Sequence, residues 1–301
     1  METPVPEFVV IVPYRNRPQQ LAEFDTHMRA VLAPYDSDTQ QSNYRVWYMH
    51  QCDDRPFNRG AMKNLGFIVL RNMYPHTYSQ ITLVFHDIDT VPTGPDVIPD
   101  YRTTPGIVKH FYGYRHALGG IVSIRAGDFE RIGGFPNYWA WGYEDNMLQT
   151  RVMKAPDMDV VSEADDSHAC SDGRPKIVRR NMAIDRTTFY PINDAVHIRQ
   201  DRGGRTRTVN RGEFDRYMRM DPEGIHTLSG VVYDAPRSIG LGQGDTILQQ
   251  LSLGEMVDVR TFDTGTECNT RLNTDFDAAR GQAPFTVGRS ARMRTRMNLV
   301  L

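Results

Sequence analysis

Five consecutive apolar residues, Phe8-Val9-Val10-Ile11-Val12, run straight into Pro13. Side chains of a strand alternate between two faces, so an unbroken apolar run closed by proline reads as a buried strand ending in a turn. Helical spacing follows from Pro18, with Leu21, Phe24, Met28, Val31 and Leu32 on one face. Residues 45–51 alternate around Val46, Tyr48 and His50 and read as a second strand. Asn58 then caps a helix carrying Met62, Leu65, Val69 and Leu70. A third apolar run, 81–85, breaks into His86-Asp87-Ile88-Asp89 and stops at Pro92. Strand, helix, strand, helix, strand predicts an α/β fold, a Rossmann-like and mostly parallel sheet flanked by helices. Ligands of such sheets sit beyond the carboxyl ends of the strands, where both Arg15 and the Asp87/Asp89 pair fall.

The second half offers a strand at 121–124, a helix over about 127–132, a Gly/Trp-rich segment at 133–142 and a helix from Glu144. Residues 156–191 are polar, acidic at Glu163, Asp165 and Asp166 and basic from Arg174 to Arg180, and read as an insertion. The pattern weakens after Val231, so one folded unit is expected over 1–240 and a C-terminal extension over 241–301. A net charge of −2 gives no global attraction to nucleic acid, and any anion site must be local. Cys52, Cys170 and Cys268 are odd in number and widely spaced, which indicates neither a disulfide framework nor a cysteine-rich zinc site. No apolar run approaches the roughly 18 to 20 residues of a transmembrane segment, and no signal-peptide pattern opens the chain, so the expected location is cytoplasmic.

Asp87 and Asp89 are two apart and project to one side of an extended strand end. Paired carboxylates there suit a hard divalent ion able to neutralise a diphosphate leaving group, although an Asp at a strand end also caps local backbone. Arg15 and Arg17 follow the first strand and Arg59 opens a helix, so these cations can converge on phosphate or remain solvated turn residues. Phe57 beside Arg59 suits a nucleobase or the core equally. In Trp139-Ala140-Trp141-Gly142-Tyr143-Glu144-Asp145-Asn146, aromatic faces match the C–H faces of sugars, and the acids begin a helix whose dipole favours their ionised form. An ionised Asp beside a sugar can take a hydroxyl proton; the plainer account is a core tryptophan pair and a helix start.

Taken in order, Pro13-Tyr14-Arg15-Asn16-Arg17, Phe57-Asn58-Arg59-Gly60, Phe85-His86-Asp87-Ile88-Asp89, Gly119-Gly120 and the run from Gly133 through Asp145 resemble the motifs of the β-1,4-galactosyltransferase family. The resemblance covers about 8–234, broken by the insertion, and implies a GT-A fold and inverting transfer from a UDP-sugar donor to a glycan or glycoconjugate acceptor. It implies that Pro13, Arg15, Arg17, Phe57, Arg59, Asp87 and Ile88 line the nucleotide, that Asp89 binds Mn²⁺ (or Mg²⁺), and that Trp141 touches donor and acceptor. Trp139, Tyr143 and Asn146 would face the acceptor, with Asp145 as catalytic base beside Glu144. For the family's histidine ligand His168 and His197 compete; His197 is preferred because a family-like run follows it, with Asp194 as a secondary ligand. Asn146 stands where the family usually has an acid that grips the acceptor, which leaves the acceptor open. Ala117 replaces a bulky donor-pocket residue ahead of Gly119 and Gly120, leaving room for galactose or an N-acetylhexosamine. Animal members are membrane-anchored, whereas no anchor is expected here. A catalytically silent sugar-nucleotide or glycan binder, and a chondroitin-type polymerising transferase, are the alternative readings.

Overall fold

The computed structural model describes residues 4–36, 43–55, 57–113, 117–139, 144–161, 189–191, 224–238 and 253–265. The apolar opening run forms β1 (Phe8–Tyr14), buried along its whole length. It is followed by α1 (Pro18–Leu32), β2 (Tyr44–Gln51), α2 (Arg59–Met73), β3 (Thr82–His86), β4 (Thr90–Pro92), β5 (Ile107–Tyr112) and β6 (Ile121–Arg125). Then come α3 (Ala126–Arg131), α4 (Glu144–Lys154), β7 (Asp159–Val161), β8 (Phe189–Pro191), β9 (Ser229–Tyr233), β10 (Arg237–Ser238) and β11 (Glu255–Asp263). The main sheet runs β10-β11-β2-β1-β3-β6-β5-β7, with β9 also on β11, and β4 pairs with β8 apart from it.

The βαβαβ pattern is realised as read: β2, β1 and β3 are parallel neighbours, with Phe8 opposite Tyr44 and Thr82. β6 is antiparallel to β3, while β5 and β7 pair in parallel at the far edge. Helices cover both faces, which is why β1 can be apolar at every position. Val9 and Ile11 pack towards α2 with Leu65, Val69 and Phe85. Val10 and Val12 pack towards α1 with Leu21, Phe24 and Met28. Each such fully buried side chain contributes about 1.5–3 kcal/mol relative to exposure.

Two boundaries differ from the sequence reading. Residues 159–161 form β7 in the main sheet, so the first part of the expected 156–191 insertion belongs to the fold. Residues 255–263, expected in an extension beyond 240, form β11 parallel to β2, with Asp258 opposite His50. The strand escaped periodicity because Glu255, Asp258, Arg260 and Asp263 interrupt its apolar residues; Arg45 neutralises Glu255 through Nε at 2.9 Å. Among the described residues no helix is long and apolar enough to cross a membrane.

Candidate active site

The carboxyl ends of β1 and β3 present the first motif residues. Asn16 has φ +52°, the left-handed region that Asn tolerates better than most residues, and this turn separates Arg15 from Arg17. The Arg15 guanidinium donates to the backbone carbonyl of Arg55, and Arg17 Nη1 lies 3.7 Å from Asp89 Oδ2. β3 ends beside the segment 117–120, where the Asp87 N–H donates to the Gly120 carbonyl at 3.0 Å. On that segment's other side the Leu118 N–H donates to the Asp145 carbonyl at 3.0 Å. Through Gly120 and Leu118 the segment 117–120 therefore joins the Asp87 turn to the start of α4. An added Cβ at 119 would lie 2.1 Å from Asp145 Oδ2, so any larger residue there would displace the Asp145 side chain.

Arg59 occupies the centre. Asn58 caps α2 by accepting from the Ala61 N–H at 2.9 Å, which places Arg59 at the first helical position. Its guanidinium forks onto Asp87, with Nε at 3.1 Å from Oδ1, and donates through Nη1 to Glu144 Oε1 at 2.7 Å and Asp145 Oδ2 at 2.9 Å. Burial works against the charge of Arg59, but Asp145, Asp87 and Glu144 outweigh it and hold the cation firmly protonated. Its planar fork is engaged by three carboxylates and ties the Asp87 turn to the Glu144-Asp145 helix start.

A second buried cation went unnoticed in the sequence. Lys63, 1% exposed, donates to Asp145 Oδ1 at 3.1 Å and lies 4.4 Å from the Phe135 ring centroid. It follows Arg59 by one helical turn on α2, so the two cations share a face. Burial raises Asp145, yet Arg59 and then Lys63 overcome it and hold the carboxyl below its ordinary range. Glu144 is pushed up, first by burial and then by Asp145's charge. The adjacent acids are thereby driven apart, Asp145 being the one kept ionised.

Other expectations meet different surroundings. Trp139 is 9% exposed, stacks on Phe262 at 5.3 Å and donates from Nε1 to Thr264 Oγ1 at 2.9 Å, with the Arg55 guanidinium 4.4 Å from its ring. Its indole is packed against the end of β11, which removes the open face an acceptor platform requires. Ile88 is buried on the α1 side, so its side chain does not line a nucleotide site. Pro13 is buried in β1, and Phe57 packs in part against the core. Ala117 is 6% exposed, beside Leu118. Asp89 keeps a side chain 38% exposed, a hard oxygen donor at the strand end. Asn146 lies within the first turn of α4. Trp141, Tyr143, His168, His197 and Asp194 lie outside the described residues.

Comparison with known proteins decides the family. Residues 3–98 match the model for the N-terminal region of glycosyl transferase group 7, and residues 108–165 match that for the N-terminal domain of galactosyltransferase. The chain belongs to the β-1,4-galactosyltransferase family. Within that family it is 28% identical over 162 residues to the Caenorhabditis elegans xylosylprotein 4-β-galactosyltransferase, covering 51% of this chain and 52% of that one. Human β-1,4-galactosyltransferase 4 is 29% identical over 154 residues, 48% of this chain and 41% of its own. The match thus spans about half the length of these curated relatives. The catalytic domain of Drosophila β-1,4-galactosyltransferase 7, solved with xylobiose, superposes with a TM-score of 0.57 at 21% identity, covering 90% of this chain and 98% of that one. A mutant of the same enzyme, solved with manganese, UDP-Gal and xylobiose, gives a TM-score of 0.56 at 20% identity. At such identity the likeness establishes the GT-A fold expected from the motifs.

Proposed function

We propose that this family member is an inverting, metal-dependent glycosyltransferase that moves galactose or an N-acetylhexosamine from a UDP-sugar to a hydroxyl of a glycan acceptor. The observation that carries the reading is the Arg59 network, which brings the Asp87 turn, the Gly119-Gly120 segment and the ionised Asp145 together beyond the strand ends. The name of the Drosophila mutant complex, which holds UDP-Gal, manganese and xylobiose, supports it by relationship.

Asp145 is the base in this account. Its carboxylate accepts the proton of the acceptor hydroxyl as that oxygen bonds to the anomeric carbon. The bond from the anomeric carbon to the phosphate oxygen breaks at the same time, and its electron pair leaves on UDP. Such a positioned base contributes about 10²- to 10⁴-fold. Arg15 and Arg17, at the end of β1, supply positive charge on the diphosphate side, while Trp141, Tyr143 and Asn146 stand for the acceptor side. A divalent ion fits Asp89, a partly exposed hard donor, with His197 and Asp194 as further ligands, and would supply neutralisation of the leaving diphosphate. The buried methyl of Ala117 motivates the N-acetylhexosamine option.

A catalytically silent sugar-nucleotide binder is the second reading, and one observation favours it: both oxygens of Asp145 are engaged by cations, which lowers its strength as a base. Measuring UDP release from a panel of UDP-sugars with Mn²⁺, with and without simple acceptors, separates the two. The proposal expects release with at least one UDP-hexose that requires both the metal and an acceptor. Binding of UDP without turnover on any donor would establish the silent reading instead.

A further inference from the structure

Period-two alternation and strand register assemble a second group of donors away from Asp89. His50 and Cys52, two residues apart at the end of β2, point to the same face, because the Cys52 N–H continues the ladder by donating to the Val259 carbonyl at 3.0 Å. Asp258 of β11 lies directly opposite His50 in the parallel register. Among the described residues, one group of His, Cys and acidic side chains brings metal-ligating atoms within 4.8 Å of one another, and it is this one. His50 Nδ1 lies 2.8 Å from Asp258 Oδ1, and Cys52 Sγ lies 3.5 Å from His50 Nδ1 and 3.7 Å from Asp258 Oδ1.

We propose that His50, Cys52 and Asp258 form a thiolate-containing site for a borderline-soft divalent ion of the zinc class, distinct from the hard-ion site at Asp89. Bonds of about 2.3 Å to sulfur and about 2.0 Å to nitrogen and oxygen, at tetrahedral angles, put ligand atoms roughly 3.3 to 3.6 Å apart. Two edges of the observed triangle, 3.5 and 3.7 Å, already lie near that range. The third, 2.8 Å, is a hydrogen bond that opens by roughly 0.5 Å when metal replaces the shared proton. Nitrogen and sulfur together select zinc or cobalt over manganese and magnesium. His50 is 28% exposed, which leaves an entry path and a fourth position for water.

The surrounding charges set the affinity. Arg237 Nη2 is 2.7 Å and Arg260 Nη2 3.5 Å from Asp258 Oδ2, and Asp234 lies 2.5 Å from Arg260. These cations sit on the outer oxygen, leaving Oδ1 directed at His50 and Cys52, but they oppose an incoming dication. Sulfur binds metal as the thiolate, so metal binding at Cys52 releases a proton and tightens as pH rises. With ligands on β2 and β11, the ion would pin the C-terminal strand to the sheet.

Cobalt(II) titration of the 301-residue chain, first stripped with chelator, tests the site. One equivalent is expected to give a near-ultraviolet thiolate-to-cobalt band and visible absorption of tetrahedral intensity, both bleached by Zn²⁺ and unaffected by equimolar Mn²⁺. Cys52→Ser should abolish the band, whereas Cys170→Ser and Cys268→Ser should leave it. Asp258→Asn should weaken binding by roughly tenfold or more. Arg237→Gln should strengthen it severalfold, an effect that a misfolded variant cannot mimic. A wild-type chain with no thiolate band, or a band that survives Cys52→Ser, would overturn the proposal.

Discussion

Arg59 and Lys63 decide the state of the proposed base. Two cations one helical turn apart on α2 hold Asp145 ionised, while its neighbour Glu144 is pushed the other way by burial. Because the folded value of Asp145 is depressed, the stability it contributes is complete above its unfolded value near pH 4 and is lost as pH falls through the lowered one. Lys63→Met is expected to move both the acidic limb of the kcat/KM profile and the acid-unfolding transition to higher pH; profiles that coincide with wild type would detach Lys63 from Asp145. Because Arg59 still pairs with Asp145, losing the Lys63 bond is expected to cost about 1–3 kcal/mol, measured by urea unfolding. Asp145 itself was legible, because the motif around it is contiguous. Lys63 was not, because it lies among Met62 and Leu65 on a helix read for its apolar stripe. The usable signal was its spacing of four from Arg59.

At the scale of elements, the start of α2 is what aims Arg59. The buried Asn58 side chain both accepts from Ala61 and donates to the Asn137 carbonyl at 3.1 Å, so it joins the helix cap to the Gly133–Trp139 region. Asn58→Ala is therefore expected to lower stability by about 1–2 kcal/mol, seen as a reduced Tm in calorimetry, and to lower turnover as Arg59 loses its aim. An unchanged Tm would mean that the helix start is held otherwise. β1, β2 and β3 were readable because burial on two faces writes itself as continuous or alternating apolar residues. β11 was not, since Glu255 and Asp258 are tolerated because Arg45 and Arg237 neutralise them and His50 shares a hydrogen bond with Asp258 across the sheet. The role expected of Trp139 failed for a related reason: its partners Phe262 and Thr264 come from that same unread strand end.

For the whole molecule, the consequence is that the half carrying the candidate site and strand β11 are one sheet. Trp47 Nε1 donates to Glu255 Oε2 at 3.1 Å, and Asp25 of α1 accepts from the Leu253 and Gly254 N–H groups at 3.2 and 3.1 Å. A chain ending at residue 240 would leave the long edge of β2 unpaired and Asp25 short of two donors. Such a truncation is expected to aggregate or to lose its cooperative thermal transition, whereas a soluble product with a wild-type melting profile would show that β11 is dispensable. The order of the motifs along the chain conveyed the fold of the first half. The closure of the sheet was set by contacts between distant segments that no local pattern encodes.

The most direct test of the account is Asp145→Asn, which keeps the shape of the side chain and removes its ability to take a proton. UDP release in the presence of Mn²⁺, donor and acceptor is measured beside UDP affinity by calorimetry. The account predicts a fall in turnover of about 10²- to 10⁴-fold with UDP affinity retained. Turnover at the wild-type rate in a folded Asp145→Asn protein would contradict it.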